Sequence, residues 1–255
     1  MTNSTLTNFS TDSSLQELLD YAESKYQTRF ESLKVGENRL ELLQFQDMEK
    51  YIEELDSRTA NNERIELPFW AKIWPTSILL SYYLHNLDIP LDNHLLEIGA
   101  GIGICGLFAA KLGYNVTISD INEDALLFTQ INILKNNLQD RAKIEKIDFT
   151  QDSTNEKYKT ILGSEALYRE DTYRPLIKFF LNNLQAAPDS EIILANHFKI
   201  KAKKFFKLAE QEFNIEQKTI GFKESSEDSA DNDQESEKHL CKIFRMRPKK
   251  YVKTE

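Results

Sequence analysis

The chain has 255 residues and a formal net charge of −9, with 40% hydrophobic and 29% charged residues. That is long enough for one α/β domain with a sizeable core and short for an ordinary two-domain dehydrogenase. The acidic balance argues against a nucleic-acid backbone as partner, because such binding needs a basic face.

Residues 1–14 are polar and read as a mobile tail. No basic flank leads an apolar core there, and no apolar stretch reaches the ~20 residues needed to span a bilayer, so the expected setting is cytoplasmic, with no membrane partner. From 14 to 31, Leu15, Leu18, Leu19, Ala22, Tyr26 and Phe30 recur at helical spacing and predict an amphipathic helix. FESLKV and RLELLQF flank Gly36-Glu37-Asn38 and predict a hairpin. Residues 47–57 are again helical in pattern, and 75–87 opens with Pro75 at a first helical position. Residues 15–66 thus form a helical and hairpin extension.

From residue 94 short apolar strands alternate with helical stretches. The strands expected are 94–99, 115–120, 142–149, 158–165 and 190–197, which predicts a parallel sheet wound on both faces, with ligands outside the carboxyl ends of the strands. FNIEQKTIGF and HLCKIFRMR lie either side of an acidic run, residues 223–239 with seven acidic side chains, and pair best as an antiparallel hairpin at the sheet edge. The run itself reads as a solvated, flexible loop.

EIGAGIGICG, residues 97–106, supports two cofactor readings. Its last six residues spell the dinucleotide pattern, which would hold a pyrophosphate on bare amides and a helix N-terminus. Its glycines also fall at Gly99, Gly101 and Gly103, two residues after Glu97. A carboxylate there repels a pyrophosphate but suits S-adenosylmethionine, whose sulfonium and ammonium are cationic, whether it binds the ammonium or braces the loop amides. Asp120, ending the second strand, can accept both ribose hydroxyls of either cofactor. Cys105 and Cys241 lack metal or redox spacing and suit small buried residues in a reducing compartment, and the four histidines form no ligand pair, so no metal site is expected.

E-x-G-x-G-x-G after strand one, Asp120 ending strand two and Asp148-Phe149 ending strand three resemble the motif series of the class I, seven-β-strand, S-adenosylmethionine-dependent methyltransferases, over about residues 67–250. The resemblance implies a Rossmann-like, doubly wound, seven-stranded α/β sheet, mostly parallel with an antiparallel C-terminal strand. LPFWAKIWPTSILLSYYL (67–84) is similar to the aromatic segment of the protein-lysine methyltransferases in that class, particularly the electron-transfer-flavoprotein β-subunit type. GSEALYRED (163–171) resembles their D-x-x-Y motif, with Glu165 at the acidic position and Tyr168 as the tyrosine. What this implies is a protein substrate, Trp74 and Phe149 against the cofactor, Ser164 near the adenine and Asp148 bonded to its amino group. Glu165 would anchor the incoming lysine and take its proton while Tyr168 orients the nitrogen. Phe69 and Trp70 could wall the cleft or serve as core aromatics. A methyltransferase for a small molecule or another protein side chain, an NAD enzyme and a non-catalytic binding module are the competing classes.

Overall fold

A computed structural model describes residues 9–58, 67–87, 90–151, 154, 156–223 and 238–251. Most of the tail assigned to residues 1–14 and of the acidic loop assigned to 223–239 lies outside the described residues.

Helix α1 (Leu15–Glu23) begins at a capping box: Ser14 Oγ accepts from the Glu17 amide, and the Glu17 carboxylate accepts from the Ser14 amide at 2.7 Å. It stops well short of residue 31. Thr28, Arg29 and Phe30 belong instead to strand β1 (Thr28–Val35), paired with Phe45, Gln44 and Leu43 of β2 (Asn38–Phe45). Phe30 sits at helical spacing yet packs from a strand, because pairing with Leu43 satisfies its backbone, whereas Tyr26 still donates its amide to the Ala22 carbonyl at 2.9 Å just past α1. The turn is two residues, Gly36-Glu37, tighter than the three expected. Val35 pairs with Asn38, and Gly36 has φ 57°, as a two-residue hairpin turn requires. Helices α2 (Met48–Arg58) and α3 (Pro75–His85) follow the predicted pattern.

The second half alternates β3 (His94–Ile98), α4 (Ile104–Lys111), β4 (Asn115–Asp120), α5 (Glu123–Lys135), β5 (Ala142–Lys146), β6 (Thr160–Ser164), α6 (Tyr173–Asn183) and β7 (Glu191–His197). Helix α7 (Lys203–Ala209) then leads to β8 (Phe213–Lys223) and β9 (Lys238–Pro248). The sheet runs β5-β4-β3-β6-β7-β9-β8, with β9 antiparallel to both neighbours. The inner parallel strands β3, β4, β6 and β7 are buried on both faces and read as apolar runs, while the edge strand β5 is half-exposed. Leu95, Leu162, Ile193 and Ala195 face one apolar cluster; Leu96, Ile98, Ile161, Ile192 and Leu194 face the other. The strand order reverses between β3 and β6, so the crevice for a ligand opens at their carboxyl ends. Among the described residues no helix is long and apolar enough to cross a membrane.

Candidate active site

The turn after β3 is shaped by three left-handed glycines and by what surrounds them. A Cβ on Gly101 would stand 2.4 Å from the Trp70 carbonyl oxygen, and one on Gly103 2.8 Å from Thr129 Cγ2. A Cβ on Gly99 would meet nothing within 4 Å. The loop is therefore closed at Gly101 and Gly103 and open at Gly99, where a ligand can reach the backbone. Gly106, the last glycine of the dinucleotide pattern, has a different task. A Cβ there would lie 2.6 Å from Ile118 Cγ1, so this glycine lets α4 press onto β4.

Glu97 resolves one alternative. It is 1% exposed, and its Oε2 accepts from the Gly106 amide at 2.7 Å, so the carboxyl braces the start of α4 and does not face open solvent. Burial pushes its pKa up to about 8, with Asp120 adding to the rise and the α4 amides opposing it. Of the two roles weighed for Glu97, binding the cofactor's ammonium or bracing the loop amides, its geometry is that of the brace.

Asp120 ends β4 with Oδ2 accepting from Gly101 N–H at 2.8 Å and Oδ1 from Asn122 N–H at 2.9 Å. Burial raises its pKa against those amides. A carboxylate has about four acceptor sites, so lone pairs remain for a sugar's hydroxyls. Ile121, which the sequence reading passed over, is 58% exposed directly beside it. An apolar residue directly after the acidic strand end, Asp120-Ile121, was the sequence signal. Asp148 is committed locally, to the Thr150 amide and hydroxyl and to Gln151, and these bonds hold its carboxyl below the usual range. Phe149 packs half-buried against the second apolar cluster.

The aromatic segment divides by role. Trp70 belongs to the core, edge-on to Phe128 at 5.1 Å and 5.8 Å from Phe45. Phe69 is exposed. Trp74 is half-buried as the N-cap of α3, donates from Nε1 to the Phe69 carbonyl at 3.1 Å, and carries the Lys72 ammonium 4.7 Å from its ring centroid. The ring thus already accepts a cation.

Past β6, Ser164 donates to the Thr76 hydroxyl at 3.1 Å. Thr76, buried on α3, is a second residue missed from sequence, and its hydroxyl favours the charged form of the Glu165 carboxyl. Glu165 has φ 55°, a left-handed backbone that costs a non-glycine residue roughly 1–2 kcal/mol. It is clamped there: its amide donates to the Ala195 carbonyl at 2.8 Å and its Oε1 accepts from the His197 amide at 2.9 Å. Burial raises its pKa, opposed by Thr76 and His197. Tyr168, by contrast, stands 72% exposed. The structure therefore gathers the glycine turn, Asp120, Ser164 and Glu165 at the carboxyl ends of β3, β4 and β6, while Asp148 is turned onto its own loop and Tyr168 stands exposed. Among the described residues no group of three histidine, cysteine or acidic side chains could hold a metal ion.

Comparison with known proteins decides the family, since the sequence profile described as lysine methyltransferase matches residues 56–212. The chain belongs to the lysine methyltransferase family. Within that family framework, it is 31% identical over 134 residues to the protein N-lysine methyltransferase METTL21A of Xenopus tropicalis, covering 51% of this chain and 61% of that one. It is 35% identical over 121 residues to a histidine protein methyltransferase 1 homolog of Dictyostelium discoideum, covering 45% of this chain and 39% of the other. In fold it is similar to the Pyrococcus abyssi tRNA (uracil-54, C5)-methyltransferase in complex with S-adenosyl-L-homocysteine. That likeness has a TM-score of 0.51 and 14% identity, over 85% of this chain and 44% of that one. As a lysine methyltransferase family member the chain uses S-adenosylmethionine, and the open backbone at Gly99 beside the Asp120 carboxylate fits that cofactor.

Proposed function

We propose that this chain methylates a lysine side-chain nitrogen of a protein substrate in the cytoplasm, with residues 67–250 as the catalytic domain and 15–66 as its extension. S-adenosylmethionine supplies the electrophilic methyl group when bound and leaves as S-adenosylhomocysteine. Asp120 receives the ribose hydroxyls, and the amides around Gly99 line the same crevice. Ser164, Phe149 and Asp148 flank the adenine end, and Trp74 shields the methyl-donor end from water. The two cysteines, both free and buried, suit a reducing compartment.

A lysine ammonium, with a reference pKa near ~10.4, has no lone pair and must lose its proton before it can attack. Glu165 anchors the ammonium and accepts that proton. Its burial, which raises its affinity for a proton, makes it a better base than an exposed glutamate. Tyr168, exposed three residues on, turns onto the arriving nitrogen or onto the substrate chain that carries it. The observation that supports this reading best is the Glu165 clamp: a strained backbone at a ligand-binding strand end marks a site where geometry serves chemistry.

Purified protein incubated with cell lysate and methyl-labelled S-adenosylmethionine is expected to label protein bands, and acid hydrolysis to release methyl-lysine. The similarity to a histidine protein methyltransferase homolog favours one second reading, a histidine ring nitrogen as acceptor; recovery of methyl-histidine alone would replace the first reading with it. Asp120→Ala is expected to weaken cofactor binding by about 1.5–3 kcal/mol, the worth of a charge-assisted hydrogen bond. Unaltered affinity by calorimetry would remove Asp120 from the ribose site.

A further inference from the structure

The Glu165 clamp closes around a residue with no task in the fold. Glu165 bonds Ala195 through its amide and His197 through its carboxylate, so its two contacts straddle Asn196. Asn196 is 1% exposed, and neither its Oδ1 nor its Nδ2 has a hydrogen-bond partner among the described residues. Burying both ends of an amide unpaired is unfavourable, because each end forfeits its bonds to water with nothing in return. The alternation of β7 would place an apolar side chain here at no such penalty, because Ile192 and Leu194 occupy the preceding positions of the same face. The amide lies near enough to the Glu165 carboxyl to favour its charged form, yet outside proper hydrogen-bond geometry.

We propose that Asn196 is a positioning residue for methyl transfer. Its Nδ2 donates to the Glu165 carboxylate once an amine occupies the site, fixing the oxygen that receives the proton. The proposal rests on Glu165 being the acceptor-side base. An orphaned amide beside a strained carboxylate at the ligand end of the sheet is the juxtaposition that carries it, since a pre-formed partner waits unsatisfied until the substrate shifts the acid into line. Other groups that face the Glu165 carboxyl are the Thr76 hydroxyl, the His197 amide and ring and the Cys241 thiol. None of these is a buried side-chain amide with both ends unpaired.

The test is a double-mutant cycle on the full chain, using Asn196→Leu, Glu165→Gln and both together. Initial rates of label transfer from S-adenosylmethionine into lysate protein are read beside cofactor affinity and thermal midpoint. Asn196→Leu is expected to slow transfer about tenfold, as contacting residues couple, with unchanged cofactor affinity and an equal or higher thermal midpoint. It should slow the Glu165→Gln enzyme no further. The acid limb of its pH–rate profile should move to higher pH, because a donor that favours the carboxylate is gone. Asn196→Ser, which keeps a donor and carves no apolar surface, is expected to recover part of the rate, and it replaces the leucine variant if that one fails to fold. A wild-type rate in Asn196→Leu, additive losses in the cycle, or a rate loss matched by a lowered thermal midpoint would each overturn the proposal. If Glu165→Gln itself keeps full rate, the assignment of Glu165 as base fails first, and that outcome is distinct from failure of Asn196 alone.

Discussion

Glu97 is pulled two ways at residue scale. Its position next to the α4 amides favours a carboxylate, and its burial favours a carboxylic acid. Burial dominates, lifting the pKa from the ordinary 4.5 to about 8. Between those values the folded chain holds a proton that the unfolded chain has released. Its contribution to stability is therefore full below about pH 4.5 and falls as pH rises toward 8. Melting the ligand-free protein at pH 5.5 and at pH 8.5 should show a lower midpoint at the higher pH. Glu97→Gln, which keeps an oxygen for the Gly106 amide, should flatten that difference. An equal drop in the variant would assign the pH dependence to other groups. At the same scale, Gly101→Ala should lower the yield of folded protein, since its methyl group meets a backbone oxygen that cannot step aside.

Among the elements, the N-terminal hairpin does more than lengthen the chain. Its residues, 28–45, precede the segment matched by the family profile, 56–212. Asn132 on α5 joins it to the cofactor turn: Oδ1 accepts from the Leu43 amide at 2.7 Å, and Nδ2 donates to the Ile102 carbonyl at 3.3 Å. Asn136 repeats the arrangement at Glu41, accepting from its amide and donating to its carbonyl. Tyr26 and Phe45 complete the docking against Trp70, whose carbonyl closes over Gly101. Asn132→Ala should lower stability by about 1–3 kcal/mol, because it strands a buried amide, and should also weaken cofactor binding by loosening the turn. Chemical denaturation with calorimetry on the same variant checks both. A stability loss with unaltered cofactor affinity would limit the hairpin to a structural role.

Across the whole molecule, the C-terminal β8–β9 pair must slot between solvent and β7. Its anchor is Glu191, whose side chain is 6% exposed, held by Arg245 through two bonds of 2.8 Å and approached by Arg247 at 3.5 Å. Removing one partner of a buried pair is far worse than removing both, since here the remaining Glu191 charge would keep only the longer contact to Arg247. Arg245→Met is expected to cost about 3–5 kcal/mol, and Glu191→Leu with Arg245→Met to recover most of it. Urea denaturation of the single and double variants measures this; an unrecovered double variant would show that the pair fixes the strand and does not merely balance charge.

The architecture was legible in the sequence because doubly buried strands and a glycine turn leave marks on a linear chain: five apolar runs, E-x-G-x-G-x-G and Asp120 named the fold and its ligand end. The helix boundary at Glu23 was not legible, because Tyr26 and Phe30 keep helical spacing while the hairpin decides the backbone from Thr28 onward. Nor were Thr76 and Asn196, nor which of its two weighed roles Glu97 takes. Which carboxyl faces a ligand and which braces a loop depends on packing between α3, α4, β6 and β7, segments far apart in the chain. Sequence by itself determined the order of the elements and the family of chemistry, since both are written in local periodicity and motif spacing. Tertiary structure alone decided which side chains meet at the strand ends and which proton each holds, since burial and hydrogen-bond partners are set by residues distant in the chain.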